Sequence, residues 1–140
     1  MKHLLNSLAV FVLVAGIAAC APKGEAEVEN KTTYQVDHRD PSAVLQAVFD
    51  VAGGADPAVL GTLCDPLGKN DTDTRRICDL AGGFAPNDEF VQYFGHAKLN
   101  GDPIIDGTLA RIPFLFGPNG DREETMEMVE RDGKWYLKAF

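Results

Sequence analysis

Hydrophobic periodicity changes once along this 140-residue chain, at Gly95, and that change restricts the fold class more than any other feature. Before Gly95 the apolar residues recur at helical spacing. After it they alternate, and turn signals return at Asn100-Gly101, Asp106-Gly107, Gly117-Pro118-Asn119-Gly120 and Asp132-Gly133. Helical spacing buries one stripe of a helix and alternation buries one face of a strand. Helices first and strands afterwards therefore predict an α+β domain, with the helices covering one face of a curved antiparallel sheet.

The first helix is predicted to start at Asp40-Pro41, because Asp caps a helix N-terminus and Pro is tolerated at its first position. Val44, Leu45, Val48, Phe49 and Ala52 form its apolar stripe, and Gly53-Gly54 ends it. Asp56-Pro57 repeats the start signal for a short second helix carrying Ala58, Val59, Leu60 and Leu63. A third spans Thr72 to Leu80, capped by Asp71 or Asp73 and stopped by Gly82-Gly83. A fourth opens at Asn87 or Asp88, turns Phe90, Val91 and Phe94 inward, and ends at Gly95.

In the second half, Ala110, Ile112, Phe114 and Phe116 share one face of a strand and Leu109, Arg111, Pro113 and Leu115 the other. Pro113 has no N–H to give a ladder, so a bulge or an outward-facing edge is expected there. A two-residue Asp132-Gly133 turn suits the twist of a hairpin. Counting outward from it without a bulge pairs Arg131 with Lys134, Glu130 with Trp135, Val129 with Tyr136, Met128 with Leu137, Glu127 with Lys138 and Met126 with Ala139. Met126, Met128, Trp135 and Leu137 then share one face, and Val129, Tyr136, Glu127 and Lys138 lie on a face expected to meet solvent or a partner.

The N-terminus carries an address. Lys2 and His3 precede an uncharged stretch from Leu4 to Ala19. It falls short of the roughly 20 apolar residues a bilayer span needs and has the layout of a signal peptide. Its end, Ile17-Ala18-Ala19-Cys20, resembles the lipobox of bacterial lipoproteins, in which the cysteine thiol is diacylated, the chain is cut before it and the new amine is acylated. The resemblance implies a signal peptide over residues 1–19, a lipidated Cys20 opening a flexible tether over residues 20–39, and a single domain over residues 40–140. Ala21 after the cysteine, rather than Asp, implies sorting to the outer membrane, facing the periplasm. The alternative is an ordinary secretory cleavage that leaves Cys20 a plain thiol. The tether, APKGEAEVENKTTYQVDH, is polar and lacks apolar periodicity, and its acidic residues read as a solvated surface.

Once lipid consumes Cys20, Cys64 and Cys78 remain as an even pair, which in an oxidising compartment points to a disulfide. The bond closes a loop of about 15 residues, worth roughly 3 kcal/mol by chain entropy. The loop between them has no apolar anchors, so a staple is expected to hold it. Buried free thiols and a metal pair are the alternatives, and a metal would need closer ligand spacing or nearby histidines. No metal and no cofactor is expected.

The formal charge of −8 leaves no basic surface to neutralise phosphates, which removes nucleic acid as a partner. It also means that attachment to an anionic membrane must come from acyl chains. Phosphate-cradling glycine loops, the G-x-S-x-G elbow, HExxH and EF-hand spacing are all missing.

The closing run ARIPFLFGPNGDREETMEMVERDGKWYLKAF, with the lipobox and the early amphipathic helix, resembles small bacterial lipoproteins of unknown function. These belong to the nuclear transport factor 2-like superfamily, whose domain is a cystatin-like cone. The resemblance implies a cone over residues 40 to 140. It fixes no activity, since such cones serve as enzymes, ligand-binding subunits and silent scaffolds. No residue matches a catalytic motif of the superfamily, so none is carried over. The polar candidates at the helix-to-sheet transition are Tyr93, His96, Asp102, Asp106 and Arg111, and a pocket is expected to draw on Tyr93, His96, Arg111 and Trp135. The preferred reading is plainer: His96 as a surface or strand-start histidine, Asp102 and Asp106 as turn residues, and Arg111 and Trp135 as sheet cover. The functional expectation is a membrane-anchored, non-enzymatic envelope module that binds a small apolar ligand or another envelope protein, with a homodimer through the sheet as a further partner. The alternative is a cone-type isomerase, dehydratase or hydrolase that uses His96, since imidazole is the side chain suited to acid–base work, with an acidic partner.

Overall fold

A computed structural model describes residues 34–83 and 86–140. The expected signal peptide, Cys20 and the tether as far as residue 33 lie outside the described residues. The order of elements is α1 (Pro41–Ala52), a 3₁₀ turn (Pro57–Val59) running into α2 (Leu60–Leu63), α3 (Thr72–Asp79) with a second 3₁₀ turn (Leu80–Gly82), and α4 (Asp88–Phe94). Five strands follow: β1 (Lys98–Leu99), β2 (Ile104–Asp106), β3 (Leu109–Phe116), β4 (Arg122–Arg131) and β5 (Lys134–Ala139). This is the α+β class that the change of period predicts.

The expected caps are in place. Asp40 accepts from the Ser42 N–H, with Pro41 in the first helical turn. Asp56 accepts from the Ala58 N–H, Asp71 from the Thr74 N–H and Asn87 from the Phe90 N–H. Each satisfies a backbone donor that a helix start would otherwise leave unpaired, a contribution of about 1 kcal/mol apiece.

The sheet is an antiparallel meander of β3, β4 and β5, with β1 and β2 sharing the outer side of β3. β1 pairs with Phe114 and Leu115 and β2 with Leu109 to Arg111, so Pro113 sits opposite the gap between them. Its carbonyl accepts from the Asn100 N–H across that gap. In an antiparallel strand the N and O of one residue point the same way, so the missing N–H of Pro113 faces the gap as well, and no ladder bond is lost.

The hairpin register agrees with the count for Arg131–Lys134, Glu130–Trp135, Val129–Tyr136 and Met128–Leu137. Beyond that it departs from it. Glu127 pairs with Ala139, not Lys138, because a bulge falls between Glu127 and Met128, and the expected Met126–Ala139 pair does not form. The reason lies on the free side of β5, where the Leu137 carbonyl accepts from the Asn70 side chain at 2.7 Å and the Lys138 carbonyl from the Asp71 N–H at 3.0 Å. Successive carbonyls of a regular strand point to opposite sides, and a bulge lets two neighbours face the same one. Lys138 still reaches Glu127 at 3.1 Å.

The core lies between α1 and the inner sheet face, where Val44, Leu45, Val48 and Phe49 meet Ile112, Phe114, Met126, Met128 and Leu137. Burying one such side chain contributes about 1.5–3 kcal/mol. Val129, on the face expected to meet solvent, is instead buried between its register partners Leu109 and Tyr136. The contacts of the fold also begin ahead of residue 40: the Trp135 N–H donates to the His38 carbonyl at 2.7 Å, and the Tyr34 hydroxyl bonds to Asp50. No described helix is long and apolar enough to cross a membrane.

Candidate functional site

Where α3 and α4 meet the far end of the sheet, they enclose an open cavity of about 620 Å³. Its floor is aromatic, made by Phe90, Tyr93 and Phe94 of α4, Phe116 at the end of β3, and Phe140. Spacing of three and four residues along α4 puts Phe90 and its neighbours on one side. Phe94 is the centre of the cluster, with ring centroids 5.1 Å from Phe90, 5.8 Å from Phe116 and 5.9 Å from Phe140. Offset and edge-on contacts in this range favour a fixed arrangement over a merely greasy one.

Two backbone contacts set the floor. The Gly117 N–H donates to the Tyr93 carbonyl at 2.7 Å, which ties the end of β3 to α4 beside Phe116. The turn that follows presses Gly120 so closely on the end of α4 that an added Cβ would lie 2.4 Å from the His96 carbonyl oxygen. With φ at +65° as well, only glycine fits there.

The rim is polar. α3 and its end contribute Asp73, Arg76 and Asp79, and the start of α4 contributes Asn87 and Glu89. Arg76 is bound to Asp73 at 3.1 Å. Asp79 and Glu89 have no such partner among the described residues and stand exposed.

The residues named as a pocket from sequence are not brought together. Tyr93 lines the cavity, half-buried. His96 follows the end of α4, is exposed, and is not part of the cavity wall. Arg111 stands exposed on the opposite face of the sheet, beside a dent of about 130 Å³ that it shares with Ile104, Asp106 and Glu127. Trp135 is buried in the core at 6% exposure and meets His38 only through its backbone. Asp102, in the turn after β1, and Asp106, at the end of β2, are both exposed. Among the described residues no group of three or more His, Cys, Asp or Glu side chains is placed to hold a metal ion.

Cavity residues missed from sequence are Phe90, Phe94, Phe116 and Phe140, each read there as core or left unassigned. The available signal was the density of aromatic residues at the ends of α4, β3 and β5, which meet only in the fold.

A second polar cluster is built around the disulfide. Cys64 and Cys78 are joined, with Cα atoms 6.1 Å apart. Within their loop the Asp65 side chain is wholly buried and accepts from Arg131 at 3.0 and 3.3 Å and from the Leu67 N–H at 3.0 Å. The Arg131 hydrogen bonds hold its carboxyl below the ordinary carboxylate range, against the opposing effect of burial. The loop therefore has a polar anchor in Asp65 and, against the expectation from sequence, an apolar one as well, because Ile77 within it is buried in the core.

Set against family models, curated proteins and solved structures, the chain matches none.

Proposed function

We propose that this protein is a lipid-anchored envelope module whose α+β domain, of the nuclear transport factor 2-like cone kind, binds a small apolar ligand without transforming it. The observation that carries the reading is the cavity of about 620 Å³, within the size range of small-molecule sites, with five aromatic rings among its described lining residues beneath a polar rim. Helices covering one face of an antiparallel sheet are consistent with a cone, and the lipobox with an anchor at Cys20. His96, exposed and outside the cavity wall, gives the enzymatic alternative no support.

Photolabelling tests the proposal. The full-length chain in lipid nanodiscs is irradiated with a small neutral alkyl diazirine and then mapped by peptide mass spectrometry. Label is expected on Phe90, Tyr93, Phe116 and Phe140, and to fall severalfold in Leu80→Trp, which fills the space between α3 and α4. Label concentrated instead on Ile104, Ile105 and Leu109, the exposed apolar residues at the β2 edge, would overturn the ligand site.

A further inference from the structure

The cavity's charge and its rings agree on a ligand class. Among the described residues of the wall the one cation, Arg76, is committed to Asp73 at 3.1 Å, and the carboxylates of Asp79 and Glu89 have no partner. The mouth is thus net negative. Asp79 is also the last residue of α3, where the helix dipole already presents negative charge. A carboxylate there has the wrong sign for the helix, and a bound cation would offset both. Aromatic faces carry negative charge density that attracts cations. One ring of the floor already shows this, because the Arg122 guanidinium carbon lies 5.1 Å from the centroid of Phe116.

Resting on the ligand-binding reading above, we infer that the cavity takes an organic cation with an apolar body: the body lies on the rings, the charged group sits at the mouth near Asp79 and Glu89, and anions of the same shape are rejected. Rejection follows from the same two features, since an anion would meet unpartnered carboxylates and ring faces of its own sign.

Calorimetric titration of the full-length chain in nanodiscs compares phenylbutyl-trimethylammonium, phenylbutanol and phenylbutanesulfonate, which share one apolar body and differ in charge. The ammonium is expected to bind about tenfold tighter than the alcohol, equivalent to about 1.4 kcal/mol, and the sulfonate more weakly than either. Asp79→Asn with Glu89→Gln should erase the ammonium's advantage over the alcohol. Asp102→Asn with Asp106→Asn, the same change of net charge away from the cavity, should preserve it. Alcohol binding with no gain for the ammonium, or a gain that survives loss of Asp79 and Glu89, overturns this inference alone. Failure of all three compounds to bind removes the ligand-binding reading and this inference with it.

Discussion

Among the described residues Asp65 is the one carboxylate whose side chain the fold buries completely, and it stays charged because Arg131 and the Leu67 N–H meet it there. Arg131 keeps about a third of its side chain in solvent, so the pair lacks the full desolvation cost of a deeply buried one. Removing the guanidinium has a larger effect than the pair's net worth, since it leaves a buried acceptor short of donors. Arg131→Leu is expected to lower stability by about 1–3 kcal/mol at neutral pH. The folded-state pKa of Asp65 lies below its unfolded value, so the stabilisation is complete above the ordinary carboxylate range. It is lost as pH falls through the folded value. Urea unfolding of both proteins should therefore show a gap in midpoint that narrows in acid; equal midpoints at neutral pH, or a gap that widens in acid, would contradict the assignment. From sequence Asp65 was only one polar residue in a polar loop. Its partner lies 66 residues away, and no local pattern encodes that distance.

The two sides of the sheet, at the level of elements, are treated differently. An uncovered strand edge invites pairing with other chains. β5 is covered from Trp135 to Lys138: His38 meets both backbone groups of Trp135, Cys64 bridges to Leu137, and Asn70 and Asp71 bond the carbonyls of Leu137 and Lys138. The disulfide therefore does more than shorten a loop, because it fixes the segment that closes this edge. Cys64→Ser with Cys78→Ser is expected to cost about 3 kcal/mol and to speed amide exchange at Asp71, which bonds to the Lys138 carbonyl, while β3 stays protected. Hydrogen-exchange mass spectrometry reads this directly, and uniform loss of protection would point to general destabilisation instead. The helices, their caps and the hairpin turn were legible from sequence, since each depends on residues within one turn of the other. The bulge was not, because its cause is the disulfide loop docking on β5 from outside the hairpin.

For the molecule as a whole, the proposed anchor at Cys20 would decide where the proposed ligand site works. Mass spectrometry of the chain purified from membranes is expected to place acyl mass on Cys20, and Cys20→Ser to release the chain from the membrane fraction. An unmodified Cys20 in protein from wild-type cells would refute the anchor, whatever the cavity binds.

Local chemistry set the fold class, the helix starts, the Asp132-Gly133 hairpin and the pairing partners nearest that turn, because periodicity, caps and turns act over a few residues. Tertiary structure alone decided that Tyr93 faces a cavity while His96 and Arg111 do not, that Phe90, Phe94, Phe116 and Phe140 form one floor, and that Asp65 needs Arg131. Those arrangements join the ends of α4, β3 and β5, or a loop and a distant strand. Which side chains meet across such separations is set by how the layers pack, a property no short stretch of sequence contains.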